Sequence, residues 1–483
     1  MLARSRVAVS WAYQVARRQL DRRPWLLIAV FIAFAFIIFT FYSTQRYLAF
    51  QTNYFDLGLY ANSVWRTIHG YEPWPMLIFP SKFGNIDHIS PVLGLVALAY
   101  ALVPDPRTLL VIQAAAIALA AAPLYLIAMR ETRNRFLSFA VAGLFLANPA
   151  LHGIIRFDFH TESFIPLFIF LMYFSYPRQS PILFYLSLAG MLSTIEYSAV
   201  LGIGIAVSLW FLKKRTDRRI LVTSIGSLTL LGIIAITDIR GVFASFGWPA
   251  NWLGGQFLGS SPAFWSSPEI LLGSLANGIP AKITYLLVAT APMWASLWKY
   301  SLRIIPAIPW MAVVIVSSRY SYSNVNFQYS VFLLPFVYLA SIPFLYGIVK
   351  HRRIILGLVA IALSVTLLYS ALSPTAPDWP RANPLESTVA SISKGLPQNA
   401  TILTQTDLFP QLSNKAYASL NFSSPEPPQY ILVNFDSSWY NWTDPALGYP
   451  LSPRQQTELL TTQHPYHLIL QDQGLHLYRL GFG

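Results

Sequence analysis

The chain has 483 residues, of which 55% are hydrophobic and only 11% are charged, and its mean hydropathy is +0.48. Soluble domains carry about a quarter charged residues, so this composition excludes an ordinary soluble protein and predicts one embedded in a bilayer. The chain contains no cysteine, which excludes disulfides, cysteine-ligated zinc and a thiol nucleophile. Its net charge of +13 needs a separate explanation.

The N-terminal segment, residues 1–24, is basic and leads into the apolar run WLLIAVFIAFAFIIFTFY. This run is longer than the core of a signal peptide, and no small-residue cleavage site follows it. We therefore predict an uncleaved first transmembrane helix with residues 1–24 in the cytoplasm.

Further apolar runs follow along the chain, and a bilayer-spanning helix needs about 20 such residues. They predict an α-helical polytopic membrane domain over 25–371 with about 11 transmembrane helices: 25–42, 107–129, 136–152, 163–176, 181–195, 198–212, 220–237, 283–298, 303–317, 330–348 and 353–371. The run 88–103 is short and has a proline near each end. We interpret it as an outer-leaflet helix that does not cross.

The distribution of charge predicts the orientation of these helices. With residues 1–24 inside, the inner segments hold 20 of the 33 basic residues but only three of the 20 acidic ones. This is the positive-inside pattern of a multi-pass protein of the cell membrane. The net positive charge is then explained by topology and contact with anionic lipids, and the sequence predicts no nucleic-acid partner.

Three larger segments are predicted on the outer side, namely 43–106, 238–282 and 372–483. The last begins with the proline-rich SPTAPDWPRANP and continues with the strand-like runs ATILTQT, QYILVNF and YHLILQDQGLHLYRL. The final run predicts a hairpin that turns at Asp472, Gln473 and Gly474. We expect a small extracytoplasmic α/β domain over 372–483.

Acidic and histidine side chains gather at the predicted outer ends of the helices: Asp56, Asp87, His88, Asp158, His160, Glu162 and Glu196. Carboxylates at a membrane–water boundary can take a proton from a hydroxyl or hold a divalent cation such as Mg²⁺ or Mn²⁺. The cations Lys82 and Arg156 are close to them in sequence and are suited to a phosphate. The pattern predicts a site for acid–base chemistry at the outer face.

Asp56 itself has two interpretations. In the stretch NYFDLGLYANSVWRTIHG, the apolar positions after Asp56 have helical spacing and Gly70 is a typical stop, so Asp56 could be only the N-cap of a helix over 57–69. The alternative is a reactive carboxylate, and an N-cap position does not exclude it. Glu196, between two short predicted spans, is a functional candidate because ionisable groups at membrane depth are costly.

The order of the short motifs resembles a family of multispanning prokaryotic membrane proteins that is known only as a domain of unknown function. The motifs are Phe55-Asp56-Leu57-Gly58-Leu59-Tyr60, Val64-Trp65, His69-Gly70, Asp87-His88-Ile89-Ser90-Pro91, Asp158-Phe159-His160 with Glu162, Glu196, Tyr329 with Pro335, and the tail stretch LPQNATILTQTDLFPQLS. The resemblance extends over most of the chain. A histidine often precedes the tyrosine in that family, whereas this chain has Gln328 there.

The same layout is similar to the GT-C superfamily of glycosyltransferases, many of which use polyprenyl-phosphate-linked sugars. In that superfamily an acid in the first outer loop precedes a helix along the membrane surface, and Asp56 and the helix ending at His69-Gly70 match these elements. Superfamily members often have Asp-Glu or Asp-x-Asp in this loop. Leu57 and Gly58 follow Asp56 here, so a metal-binding pair within the motif is absent.

The resemblance implies an inverting glycosyltransferase of the outer face, with a polyprenyl-phosphate sugar as donor and an envelope glycan, lipid or protein as acceptor. It implies Asp56 as general base, and the other acids and histidines as groups that position the acceptor or a divalent ion. The implied phosphate-binding residues are Lys82, Arg156 and Arg319, and the implied donor-pocket residues are Gln328 and Tyr329. Two alternatives stay open: a transporter or flippase for a lipid or envelope precursor, and a non-catalytic envelope assembly protein.

Overall fold

The computed structural model describes residues 24–71, 90–177, 180–239, 268–290, 301–317, 319–347, 379–422, 426–444 and 449–481, together with residues 293, 357, 360 and 364. Several predictions fall elsewhere and lie outside the described residues: the N-terminal segment, most of the loop 238–282, nearly all of the predicted span 353–371, and the site residues Lys82, Asp87 and His88.

Helices make up the N-terminal three quarters of the described chain. In order they are α1 (Pro24–Leu48), α2 (Leu59–Ile68), α3 (Leu93–Leu102), α4 (Pro106–Thr132), α5 (Arg135–Leu146), α6 (Pro149–Arg156), α7 (Ile165–Ser175), α8 (Pro181–Leu192), α9 (Ser198–Lys213), α10 (Arg218–Ile239), α11 (Pro268–Ala276), α12 (Ile279–Thr290), α13 (Ile308–Val316) and α14 (Leu334–Gly347). Short 3₁₀ or π-helical turns join some of them: Tyr54–Gly58, Thr161–Phe164, Leu302–Ala307, Tyr320–Ser323 and Gln328–Phe332.

Helix α4 is the central helix of the bundle and packs against α1, α5, α7 and α14. Its sequence QAAAIALAAA presents small side chains, which let neighbouring helix backbones approach closely within a membrane. Ala114, Ala118 and Ala121 are fully buried there. By contrast, Phe34, Ile37 and Phe41 on α1 are largely exposed, as expected of a surface that faces lipid.

Helices are present at ten of the eleven predicted spans, but few of them are long. Among the described residues, α1 and α4 are long and apolar enough to cross a membrane, and α5 with α6 form a third candidate, bent by 42°. Of the other described helices at predicted spans, α10 is continuous over 22 residues and the rest have fewer than 18. The predicted span 303–317, for example, is a 3₁₀ turn followed by α13. The count of about eleven spans therefore stays a prediction.

The described part of the apolar run 88–103, from residue 90, contains α3, which has only ten residues. At 1.5 Å per residue α3 extends for about 15 Å, half of the hydrocarbon thickness. It packs between α2 and α4. Helices at several predicted spans are equally short, so the interpretation that this segment does not cross stays a prediction.

The C-terminal domain is a three-layer α/β unit. Its five-stranded sheet has the order β2-β1-β3-β5-β4, with β1 parallel to β2 and β3, and β5 antiparallel to β3 and β4. One face packs against α15 and α16, and the other against α17. The elements are α15 (Glu386–Gly395), β1 (Thr401–Leu403), α16 (Phe409–Leu412), β2 (Tyr417–Ser419), β3 (Tyr430–Asn434), α17 (Pro453–Gln463), β4 (Tyr466–Asp472) and β5 (Leu475–Leu480).

The predicted C-terminal hairpin is present. β4 and β5 pair in antiparallel fashion from Asp472 opposite Leu475 outward, and Gln473 at the turn has φ of 51°. The strand-like runs of the tail thus become β1, β3, β4 and β5, while the short β2 was not expected.

Candidate functional site at one end of the helical bundle

Asp56 does not cap a helix. It lies inside the π-helical turn Tyr54–Gly58, and α2 begins at Leu59 with Gly58 as N-cap and no side-chain capping bond. The predicted helix over 57–69 therefore begins two residues later, and it ends at Ile68 before Gly70, whose φ is +75°. The Asp56 carboxylate instead lies 3.0 Å from a ring nitrogen of His160, from Oδ1 to Nε2.

His160 is held from the opposite side by α4. The backbone N–H of His160 donates to Oε1 of Gln113 at 2.8 Å. The amide nitrogen of Gln113 donates in turn to the carbonyl oxygens of Ile154 and Asp158. One buried amide in an otherwise apolar helix thus fixes the loop after α6. Gln113 was not among the predicted site residues, although an amide inside LLVIQAAAIA was a visible signal.

Both ring nitrogens of His160 face oxygen atoms, because Nδ1 lies 3.2 Å from the carbonyl oxygen of Asp158 while Nε2 faces Asp56. Both contacts are satisfied when both nitrogens carry protons. Burial opposes the charged ring, but the hydrogen bond to Asp56 and the charges of Asp56 and Glu162 outweigh it and raise the pKa of His160. The raised pKa favours the protonated ring, in which Nε2–H donates to Oδ1 of Asp56.

Asp158 is almost completely buried and anchors the segment that leads to Asp56. Its Oδ2 accepts the backbone N–H of Asn53 at 2.8 Å, and its Oδ1 lies 3.5 Å from Nη2 of Arg46 at the end of α1. Burial raises the pKa of Asp158, while Arg46 opposes that shift. Arg46 is a second residue that sequence reasoning missed, although it is a basic residue at the predicted outer end of the first span.

Glu162 and Glu196 are also buried at this end of the bundle. The Oε1 atom of Glu162 has no hydrogen-bond partner among the described residues. The hydroxyl of Thr161 donates to the carbonyl oxygen of Thr194 at 2.8 Å, and this bond ties the two glutamate-bearing turns together. The charges of both glutamates help to raise the pKa of Tyr322, for which burial is the main cause.

The segment from Arg319 to Tyr329 forms the remaining side of the cluster. It lies directly on α6, because a Cβ at Gly153 would clash with the Val325 carbonyl oxygen. The Arg319 guanidinium lies over the ring of Tyr322 at 5.3 Å. Burial is the main cause that raises the pKa of Tyr329, and the charges of Glu162 and Asp56 contribute. Tyr329, a predicted donor-pocket residue, is thus close enough to Glu162 and Asp56 to sense their charges.

Arg156 and Gln328 are two further predicted site residues. Arg156, at the end of α6, donates to Oδ1 of Asn326 at 3.3 Å. Gln328 is buried, and its Oε1 has no hydrogen-bond partner among the described residues.

The described part of the chain contains no ligand set for the predicted divalent metal ion. No three His, Asp or Glu side chains there are arranged to hold a metal ion. Asp56 is directed at His160, and Asp158 at Arg46 and Asn53, so these carboxylates already have protein partners. Asp87 and His88 lie outside the described residues, and a metal requirement stays a prediction.

The C-terminal domain contacts the segment that carries Asp56. Tyr54 packs edge-on against Phe409 of α16, with ring centres 4.6 Å apart, and Phe55 packs against Trp442 and Tyr449. Polar bonds reinforce the contact: Asn62 donates to the carbonyl oxygens of Ser413 and Lys415, Arg66 donates to that of Ala416, and Gln411 donates to that of Tyr47. The domain thus supports both sides of the π-helical turn.

A comparison with solved structures shows the fold. The crystal structure of ArnT from Cupriavidus metallidurans bound to undecaprenyl phosphate is similar to this chain, with a TM-score of 0.52 and 10% sequence identity. The similarity covers 94% of this chain and 98% of ArnT. The chain therefore has a fold similar to that of ArnT, with a small β-sheet domain at its C-terminus.

Comparisons of sequence give the family. No curated protein sequence matches the chain. The model of the family described as "Predicted membrane protein (DUF2079)" matches residues 46–467, which include every described residue of the candidate site. The chain therefore belongs to the DUF2079 family of predicted membrane proteins.

Proposed function

We propose that the protein is a membrane glycosyltransferase that moves a sugar from a polyprenyl-phosphate donor to an envelope acceptor at the outer face. An acceptor hydroxyl attacks C1 of the sugar from the side opposite the phosphate. The bond between C1 and the phosphate oxygen breaks, and polyprenyl phosphate leaves with the electron pair. Asp56 takes the proton of the hydroxyl, so the reaction inverts the anomeric carbon.

The observation that carries this proposal is the 3.0 Å pair between Asp56 and His160. A general base must be held where it can reach the proton that it removes. His160 fixes Oδ1 of Asp56, and Gln113 fixes His160 from behind. In the proposal, Oδ2 of Asp56 accepts the proton from the acceptor.

Other residues of the cluster have supporting roles in the proposal. Arg319 and Arg156, with Lys82, would neutralise the charge that develops on the leaving phosphate. Glu162 and Glu196 would accept hydrogen bonds from sugar hydroxyls, a role suggested by the Oε1 atom of Glu162, which has no partner among the described residues. Gln328 and Tyr329 would line the donor pocket. A divalent ion at Asp87, His88 or Asp158 stays a separate proposal.

The structural comparison supports the class of donor. ArnT, which shares the fold over nearly its whole length, was crystallised with undecaprenyl phosphate. A polyprenyl phosphate is the leaving group in the proposed reaction, and its tail would lie in the bilayer beside the bundle. The C-terminal domain would select the acceptor, because it packs directly on the turn that holds Asp56.

The experiment that tests this function compares Asp56→Asn with the unmodified protein. Purified protein in lipid is incubated with a panel of polyprenyl-phosphate sugars and envelope acceptors, and released polyprenyl phosphate is measured. We expect Asp56→Asn to lower release by at least about 100-fold, the typical contribution of a general base, while the melting temperature stays within a few degrees.

The matched control is Asp436→Asn, which removes an exposed carboxylate of the C-terminal domain and is expected to leave turnover unchanged. Undiminished release by Asp56→Asn would refute the base role. Translocation of the intact lipid-linked sugar across a vesicle, without release of lipid phosphate, would favour the transporter instead.

A further inference from the structure

A second cluster of charged and aromatic side chains lies at the end of the bundle opposite Asp56. Helix α7 follows the turn that carries Glu162 and ends at Ser175, and α9 follows Glu196 and ends at Lys213. A helix rises 1.5 Å per residue, so α9 separates the two ends by about 24 Å. The positive-inside pattern predicts that this end faces the cytoplasm.

Residues that follow α7 and α9, among them Tyr176, Pro177 and Arg215, line an open cavity of about 350 Å³ at this end. A cavity of this size can take a small ligand or a lipid headgroup. Its lining includes one acidic side chain, Asp217, and four basic ones: Lys213, Arg215, Arg218 and Arg219. The charge of the lining is therefore positive and favours an anion.

Asp217 is already engaged in the fold. Its carboxylate accepts from the hydroxyl of Tyr176 at 2.6 Å, and from the backbone N–H groups of Arg219 and Ile220 at 3.0 Å. These bonds cap the first turn of α10. The one acid of the lining thus serves the helix end, and it does not cancel the positive charge of the cavity.

Tyr176 also fixes two of the cations. Arg219 donates to the carbonyl oxygen of Tyr176, and its guanidinium lies 5.4 Å from the centre of the tyrosine ring. The ammonium of Lys213 lies 5.6 Å from the same ring centre. Cations placed against an aromatic face lose less freedom when an anion arrives, so the cavity is organised before it binds.

Apolar side chains beside the cavity indicate a lipid rather than a free anion. Helices α8 and α10 pack together next to it. Ile182 and Leu186 on α8 are 72% and 65% exposed, and Leu221 and Ile225 on α10 are 51% and 55% exposed. A free phosphate would use only the cations, whereas a lipid would also cover these side chains with its acyl chains.

We propose that this cavity binds the phosphate headgroup of an anionic lipid from the cytoplasmic leaflet, with the acyl chains along α8 and α10. Basic pockets between transmembrane helices on the cytoplasmic side are suited to such headgroups. Lys213 and Arg219 contact the phosphate oxygens, and Arg215 and Arg218 close the opening. The inference does not depend on the role of Asp56, and its test does not use activity.

The test measures which lipids the full chain retains. Protein reconstituted with equal amounts of phosphatidylglycerol and phosphatidylcholine is extracted, and bound lipids are counted by native mass spectrometry. The double variant Lys213→Gln/Arg218→Gln removes two lining cations. We expect it to retain at least about tenfold less phosphatidylglycerol, because each cation near the headgroups contributes about 1 kcal/mol of attraction. Retention of phosphatidylcholine should not change.

The matched control is Arg133→Gln/Lys214→Gln, which removes two exposed cations from the same end of the bundle but outside the cavity lining. It should retain phosphatidylglycerol like the unmodified protein. An equal loss in both double variants, or no loss in the cavity variant, overturns the proposal. If the cavity variant does not fold, the single variant Arg215→Gln, which alters an exposed lining residue, is used instead. We expect it to lose less phosphatidylglycerol than the double variant would, and no loss would overturn the proposal.

A second probe separates the lipid from a free anion. Inorganic phosphate is added to the delipidated protein in detergent, and its binding is measured by calorimetry. Binding of phosphate that the cavity variant loses, together with no retention of phosphatidylglycerol by the unmodified protein, would assign the cavity to a soluble anion and overturn the lipid proposal.

Discussion

The structural role of Asp56 depends on a residue 104 positions away in the chain. From local sequence it could be a helix cap, but in the fold its carboxylate is 3.0 Å from Nε2 of His160. A capping side chain would accept a backbone N–H of the first turn of α2 from the N-cap position. Gly58, and not Asp56, occupies that position. The pair with His160 therefore replaces capping as the role of this carboxylate.

The pair predicts how stability depends on pH. The pKa of His160 is raised above its unfolded value of about 6.5, so its stabilising effect is fully present below that value and is lost as pH rises through the raised pKa. We expect His160→Gln to destabilise the protein by about 2 kcal/mol near pH 6, the typical contribution of a charge-assisted hydrogen bond, and by less at alkaline pH.

Melting temperatures of both proteins across this pH range measure the effect. His467→Gln, an exposed histidine on β4, serves as the control and should show no such trend. A destabilisation by His160→Gln that stays constant with pH would mean that the ring is neutral in the folded protein.

At the scale of elements, the π-helical turn and α16 form one packed unit across the two domains. Phe50, Tyr54 and Leu59 belong to the same apolar cluster as Phe409 and the core of the C-terminal sheet. The position of Asp56 thus depends on how closely α16 approaches the turn. Gly58 lies against the Phe409 ring with little room for a Cβ.

Replacing Gly58 with alanine tests this contact. The added Cβ would lie 2.7 Å from Cδ1 of the buried Phe409 ring, although the backbone of Gly58 is helical and accepts alanine. We expect a loss of about 2 kcal/mol from overpacking, seen as a lower melting temperature and faster proteolysis at the domain junction. Phe409→Leu in the same chain should restore part of the loss.

Gly94→Ala is the matched control, because among the described residues no atom outside the backbone of α3 itself lies within 4 Å of the added Cβ. It should raise stability by up to about 1 kcal/mol through helix propensity. If Gly58→Ala melts like Gly94→Ala, the close packing of α16 on the turn does not limit stability.

At the scale of the whole molecule, the orientation in the membrane decides both proposals. The site of Asp56 must face outward to meet an envelope acceptor, and the basic cavity must face the cytoplasmic leaflet. Charge counting predicts this arrangement, since the inner segments hold 20 of the 33 basic residues.

The absence of cysteine from the chain makes this orientation directly testable. Single cysteines are placed at two exposed positions, Thr462→Cys in α17 and Thr216→Cys between α9 and α10. In intact cells a membrane-impermeant maleimide should label Thr462→Cys, and it should label Thr216→Cys only after permeabilisation. The reverse pattern would place Asp56 on the cytoplasmic side and refute the outer-face reaction.

The sequence by itself determined the properties that depend on composition and local pattern. Hydropathy and charge predicted a helical membrane protein, and alternating patterns predicted the C-terminal strands and hairpin. Clusters of acids and histidines predicted Asp56, Asp158, His160 and Glu162 as candidate site residues. Hydropathy did not determine how many apolar runs span the bilayer. Short helices broken by turns have the same apolar composition as continuous spans.

Only the tertiary structure decided which of these residues meet. The pairing of Asp56 with His160, the anchoring of Asp158 by Arg46, and the support from Gln113 join segments far apart in the chain. Local patterns carry no signal for such contacts, because they arise from the packing of α1, α2 and α4 around one loop. The sequence likewise showed the cations of the basic cavity only as part of the positive charge of the inner segments. Their position around Tyr176 is a property of the folded helix ends.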